Sequence, residues 1–191
     1  MGASVIRERG VVPLGIGWPN IVTFGRILLV PVVVILVLAQ TERASYAATA
    51  VFVAGGLSDF LDGYLARRFG PATLTGAWLD PLSDKLLVAA AVISLAAVSR
   101  FPVWAAAVIV VREAAVSVLR AYMGTRRASM PASDIAKLKT VVQLTAIGLY
   151  MLPLSHAMHG VKLVVLSVAV AVTVYSGLDY FLHVSGRVRT R

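Results

Sequence analysis

The chain has 191 residues, 59% of them hydrophobic and only 14% charged, with a mean hydropathy of +0.85. A soluble domain of this length carries about 25% charged residues, so the composition excludes an ordinary soluble protein and predicts a single-domain integral membrane protein. The absence of cysteine excludes disulfides and thiolate metal sites, and the net charge of +9 suits cytoplasmic loops, anionic lipid and phosphorylated ligands rather than nucleic acid.

Residues 1–19 read as a cytoplasmic arm carrying Arg7, Glu8 and Arg9, where Gly15, Gly17 and Pro19 argue against a long helix. Met1-Gly2 has the start of a myristoylation signal, but Ile6 stands where Ser or Thr is needed. Six apolar spans follow at about 21–39, 44–65, 77–98, 102–122, 136–154 and 161–183, each near the ~20 residues that cross a bilayer. Val37-Leu38-Ala39 resembles a signal cleavage site, but the long leader and Arg26 argue for a retained helix. Gly55-Gly56 in the second span either admits a neighbouring helix closely or is merely tolerated. Pro81 either starts the third span or kinks it.

The expected fold is therefore all-α, a polytopic six-helix membrane bundle over residues 20–185, with a basic tail at 186–191. Arg7 and Arg9, Arg67 and Arg68, Arg126 and Arg127, and Arg187, Arg189 and Arg191 flank one side; Arg43, Arg100 and Lys162 flank the other. The bias places both termini at the cytoplasmic face of the cell membrane.

Four of the nine acidic residues fall between Asp59 and Asp84. Asp59 and Asp62 are three apart, and Asp80 and Asp84 four apart, so on helices each pair shares a face. Gly70-Pro71 breaks the chain between them. A hairpin of two helices then aims four carboxylates at one cytoplasmic-side point. Such a group needs a cation, and hard oxygen donors suit Mg²⁺ or Mn²⁺ better than zinc. Two such ions clamp phosphate oxygens. The plain alternative is a set of helix-end acids facing water at a membrane surface.

The stretch reads D-x2-D-G-x2-A-R-x8-G-x3-D-x3-D, carried by Asp59, Asp62, Gly63, Ala66, Arg67, Gly76, Asp80 and Asp84. It resembles, at every position, the signature of the CDP-alcohol phosphotransferase family. That resemblance implies a homodimeric enzyme in which an alcohol displaces CMP from a CDP-linked donor with the help of two divalent ions, Mg²⁺ or Mn²⁺. It implies Asp59, Asp62 and Asp80 as metal ligands, and Asp84 as the base that also touches metal. A Gly at 63 lets phosphate or nucleotide approach the helix, and Ala66 and Gly76 would give similar clearance. Arg67 suits phosphate or else closes a helix at its negative end. Thr73 resembles a nucleotide contact, or is a helix cap. Asn20, Thr23 and Arg26 resemble the family's donor-binding segment, or simply start an interfacial helix.

A second constellation is Arg112-Glu113, Ser117 and Arg120, then Lys137, Lys139 and Thr140. Charges within an apolar span are functional candidates, although Arg112 and Glu113 can also pair inside the bundle. The cations Arg112, Arg120, Lys137 and Lys139 fit an acceptor that itself carries phosphate. The segments 112–120 and 137–143 resemble those family members that join CDP-diacylglycerol to glycerol 3-phosphate. Members that use inositol 1-phosphate, or that make cardiolipin, are alternatives. A cation transporter is the non-enzyme alternative, disfavoured because the outer halves of the spans are Val, Leu and Ala. His156 and His159 offer too few ligands for a metal site. Asp179 and His183, four apart, can pair with each other or across a subunit interface.

Overall fold

The computed structural model describes the backbone over 18–69, 74–125 and 134–189, and side chains over 25–58, 85–119, 138–155 and 157–182. Six α-helices account for most of it: α1 (Trp18–Leu38), α2 (Glu42–Phe69), α3 (Leu74–Ala97), α4 (Val103–Thr125), α5 (Asp134–Met151) and α6 (His159–Arg189). A single 3₁₀ turn at His156–Met158 precedes α6, and no strand occurs among the described residues. Each expected span maps onto one helix. The helices run past the apolar runs because hydropathy marks depth, not the hydrogen-bonded end of a helix. Thus α1 starts inside the expected arm, at Trp18, and α6 continues to Arg189 through part of the expected tail. Pro81 lies within α3 rather than at its start. The Gly70-Pro71 break falls outside the described residues.

The helices close a ring in the order α1, α2, α5, α6, α4, α3 and back to α1, with α3 also touching α2 and α5. Buried residues recur at four-residue spacing along each inner face: Val33 and Val37 on α1, Ala48 and Phe52 on α2, Leu87, Ala91 and Leu95 on α3, Ala105 and Ile109 on α4, Ile147 and Met151 on α5. This spacing stacks side chains on one stripe of each helix. Alanines within the stripe let backbones approach. Gly55 and Gly56 do the same at one place. A Cβ on Gly55 would lie 2.7 Å from Leu87 Cδ2, and one on Gly56 would lie 2.8 Å from Leu144 Cδ1.

Local chemistry sets the helix ends at the tight turns. Thr41 caps α2, its Oγ1 accepting from the Ala44 amide at 3.2 Å. Helix α3 ends with Ser99 at φ 58°, where Arg100 N donates to Leu95 O at 2.9 Å and Ser99 N to Ala96 O at 3.0 Å. That pair of bonds is a Schellman closure, here built without glycine. Pro102 O then accepts from Ala105 N and Ala106 N, both at 3.1 Å, to open α4.

The outer surface is apolar. Leu28, Val32 and Ile35 on α1, and Val164, Val168, Leu178, Phe181 and Leu182 on α6, are all exposed. So large an apolar exterior is foreign to a water-soluble monomer. Among the described residues, His159–Leu182 alone is long and apolar enough to cross a membrane by itself; Gly25–Leu38, Lys85–Ala97 and Leu138–Met151 are shorter apolar stretches.

Candidate active site

The signature divides between two helices. Asp59, Asp62, Gly63, Ala66 and Arg67 lie on the last part of α2, and Gly76, Asp80 and Asp84 on the first part of α3. Their side chains, with those of Asn20, Thr23, Arg120 and Lys137, lie outside the described residues, as does Thr73. The donor set itself fits a divalent cation: four carboxylates in a chain without cysteine supply only hard oxygen ligands. Among the described residues, no group of three or more His, Cys, Asp or Glu forms a metal site. His159 is exposed, and the His183 side chain lies outside the described residues.

Around the signature, described side chains pin the helices that carry it. Arg26 on α1 is 1% exposed and donates through one terminal nitrogen to Ser58 Oγ at 3.1 Å. The Ser58 hydroxyl donates in turn to Gly55 O at 2.7 Å. A cation of α1 is thereby fixed to α2 at the residue just before Asp59.

On α3 the residue just after Asp84 is Lys85. Its Nζ donates to Ser117 Oγ on α4, and the Ser117 hydroxyl donates to the Glu113 carbonyl one turn earlier. The Glu113 carboxylate faces α5. Its Oε1 takes the Lys139 ammonium and also the Arg112 guanidinium at 3.2 Å. Lys85, Glu113 and Lys139 thus join α3, α4 and α5 around one point. Among the described residues, Lys85, Arg112 and Lys139 are gathered here around the Glu113 carboxylate and the Ser117 hydroxyl.

Arg112 is held differently from Lys139. Its Nε donates to Thr173 O at 3.2 Å and its NH2 to Ser176 Oγ at 2.7 Å, both on α6. With NH1 on Glu113, all three nitrogens have partners inside the bundle. Gly177 makes room for this: a Cβ there would lie 3.2 Å from Arg112 Cγ. The interior-pairing alternative for Arg112 is the arrangement seen.

Two spaces open on this network. A small polar recess is lined by Lys85, Val88, Glu113, Lys139, Thr140, Gln143 and Leu144. An apolar groove of about 260 Å³ runs between α3 and α4, with Lys85, Glu113 and Ser117 as its polar margin. Lys85 and Gln143 were not assigned roles from the sequence. Two signals were available: Lys85 directly follows an expected base, and Gln143 lies four residues after Lys139, on the same face of α5.

Residues 17–175 match the CDP-alcohol phosphatidyltransferase family. A Mycobacterium tuberculosis protein named "Probable phosphatidylglycerophosphate synthase" is 41% identical over 164 residues, covering 84% of this chain and 78% of its own. Proteins named "CDP-diacylglycerol--glycerol-3-phosphate 3-phosphatidyltransferase" are similar too. That of Bacillus subtilis is 35% identical over 178 residues, 85% of this chain and 92% of its own. That of Rickettsia typhi is 32% identical over 167 residues, 85% of this chain and 94% of its own. The family match spans most of the chain, includes all eight signature positions and takes in the Lys85–Glu113–Lys139 network, so the chain belongs to the CDP-alcohol phosphatidyltransferase family.

Proposed function

We propose that this protein transfers the phosphatidyl group of CDP-diacylglycerol to glycerol 3-phosphate, giving phosphatidylglycerophosphate and CMP. One observation carries the reading: a complete carboxylate signature on α2 and α3 stands next in sequence to a recess between α3, α4 and α5 that Lys85, Glu113 and Lys139 line. The names of the similar proteins support the same acceptor.

In this reading Asp59, Asp62 and Asp80 hold Mg²⁺ or Mn²⁺, two ions in all, with Asp84 close to them. Held there, the ions would supply the positive charge that the pyrophosphate and the departing CMP phosphate need. Asn20, Thr23, Arg26, Gly63, Ala66, Arg67, Thr73 and Gly76 form the donor site. Asp84 takes the proton from the primary hydroxyl of the acceptor. That oxygen forms a bond to the phosphatidyl phosphorus, and the phosphorus–oxygen bond to CMP breaks. Arg120, Lys137 and Lys139 hold the acceptor phosphate, and Arg112 adds charge while keeping Glu113 in place. The six helices cross the cell membrane with both termini and the site on the cytoplasmic side, as a homodimer. The apolar exterior supports the membrane setting, and the arginine and lysine bias supports the orientation.

The test is acceptor choice by the purified protein in detergent, with CDP-diacylglycerol and Mg²⁺. CMP release is expected with glycerol 3-phosphate and not with inositol 1-phosphate, free inositol, serine or phosphatidylglycerol. Chelation with EDTA should stop it, and added Mg²⁺ or Mn²⁺ should restore it. Release with inositol 1-phosphate alone would overturn the acceptor and keep the metal site. Cation flux in proteoliposomes with no lipid product would overturn the enzyme reading.

A further inference from the structure

Gln143 is a buried amide with unfinished hydrogen bonding. It is 3% exposed, and its Oε1 has no hydrogen-bond partner. A buried acceptor left in this state is costly, so native proteins rarely keep one without a ligand, ion or water to meet it. Gln143 lines the polar recess between α3, α4 and α5, together with Lys85, Glu113, Lys139 and Thr140.

The size of that recess narrows the ligand. Its volume is about 20 Å³, enough for one water-sized group. A whole substrate does not fit, but a single hydroxyl does. The charges narrow it further. Lys139, one turn before Gln143 on the same face of α5, is held by Glu113 at the wall of the recess. Val88, which also lines the recess, lies four positions after Asp84 on α3, one helical turn along the chain. In the proposed reaction the acceptor's phosphate needs cations such as Lys139 and its reacting hydroxyl needs the base. The acceptor then has one hydroxyl left to place.

We infer that Gln143 is a specificity-determining residue, whose amide oxygen accepts a hydrogen bond from the non-reacting hydroxyl of the polyol phosphate acceptor. For glycerol 3-phosphate this is the secondary hydroxyl on the central carbon. Glu113 is the positioning residue that keeps Lys139 at the recess. The inference rests on the proposed transfer reaction and adds to it the group that tells one phosphorylated alcohol from another. A site built to bond a hydroxyl rejects an analogue lacking it far more strongly than an apolar pocket rejects a missing methylene.

The test compares glycerol 3-phosphate with 3-hydroxypropyl phosphate, which keeps the phosphate and the reacting primary hydroxyl and lacks the central one. CMP release from CDP-diacylglycerol is measured for the wild type and for Gln143→Met, which keeps the length of the side chain and removes the acceptor. The wild type is expected to prefer glycerol 3-phosphate by roughly 10-fold or more in kcat/KM. Gln143→Met is expected to lose that preference, through a fall with glycerol 3-phosphate and a change within about twofold with the analogue. Equal losses with both acceptors would reduce Gln143 to a packing or water-binding residue and overturn the inference. A wild type that uses the two equally overturns it without any variant, which covers a Gln143→Met protein that does not fold. A wild type that releases no CMP with glycerol 3-phosphate fails the acceptor assignment itself, and the inference with it.

Discussion

At the loop end of the bundle Arg100 donates to Ser45 Oγ and to Met151 O, each at 2.8 Å. Lys162 reaches Leu152 O at 3.4 Å and lies 5.7 Å from the centre of the Tyr150 ring. Phe101 meets that ring edge-on, with centroids 4.9 Å apart. The carbonyls at the end of α5 need partners that the helix no longer supplies, and these two cations supply them. In the interior, Lys139 and Arg112 instead share one carboxylate oxygen of Glu113, beside an amide oxygen with no partner and a space for one small group. Both regions hold cations at least half-buried. The first spends them on neutral oxygens, two backbone carbonyls and the Ser45 hydroxyl, and closes an end. The second gathers them around a single anion and stops short of completion. Each region also leaves one buried polar atom without a partner, the Tyr150 hydroxyl in the first and Gln143 Oε1 in the second; only the second lines a recess, and an unmet acceptor beside a cavity marks a place for a ligand.

The widest separation of the two regions comes from removing the base. Asp84→Asn should cut CMP release about 10²–10⁴-fold, the usual contribution of a positioned acid or base. Its melting temperature in detergent should change little, and Arg100→Met should show the reverse pattern. Comparable activity in Asp84→Asn and wild type would remove Asp84 from the proton transfer.

Next in size is Glu113→Gln. The change keeps the shape and removes the charge that Lys139 and Arg112 share. Breaking a buried ion pair on one side costs about 3–5 kcal/mol, so the thermal transition should fall well below that of the wild type. The KM for glycerol 3-phosphate should rise several-fold, because Lys139 loses its anchor, while the KM for CDP-diacylglycerol stays near its original value. A parallel rise in both would place Glu113 among residues that merely hold the bundle together.

The six helices were legible in the sequence because each has an apolar run long enough to register; the four aspartates stand out there because carboxylates are rare in such surroundings, and their side chains lie outside the described residues. The register α3–α4–α5 was not legible. That Lys139 should meet Glu113, while Arg112 turns away to Thr173 and Ser176, depends on which helices are neighbours in the ring. Hydropathy is silent on that order. Lys85 at the head of an apolar run reads as an interfacial lysine until Ser117 is found opposite. Gln143 inside α5 reads as one more tolerated polar residue until its lack of a partner is seen. Gly55-Gly56 left close approach and mere tolerance open, and the short distances to Leu87 and Leu144 favour close approach.

At the loop end, Arg100→Met removes two hydrogen bonds from a charged donor. Each is worth about 1.5–3 kcal/mol when made, though the variant also relieves the burial of the charge. A net loss of about 2 kcal/mol is expected, read as a lower melting temperature in detergent. Both KM values should stay within about twofold of the wild type, since Ser45 and Met151, the partners of Arg100, lie at the other ends of α2 and α5 from Asp59 and Lys139. A selective rise in the acceptor KM would mean the two regions are coupled through α5.

The smallest effects offer the finest comparison, because Gly55 and Gly56 are adjacent and face different neighbours. A Cβ at Gly55 meets Leu87 Cδ2 at 2.7 Å and Leu29 Cδ1 at 3.5 Å, in the core between α1, α2 and α3. A Cβ at Gly56 meets the two end methyls of Leu144 at 2.8 and 2.9 Å, and Leu144 lines the polar recess next to Gln143. The obstructing atoms are in both cases the far ends of leucines, which can swing aside. Gly55→Ala and Gly56→Ala should therefore cost a similar and small amount, about 1 kcal/mol each. Their kinetics should differ. Displacing Leu144 moves a wall of the recess, so Gly56→Ala should raise the KM for glycerol 3-phosphate about two- to threefold, on the order of 0.5 kcal/mol, and Gly55→Ala should not. If the two alanines instead behave alike, Leu144 yields away from the recess, and the recess is insulated from α2 packing.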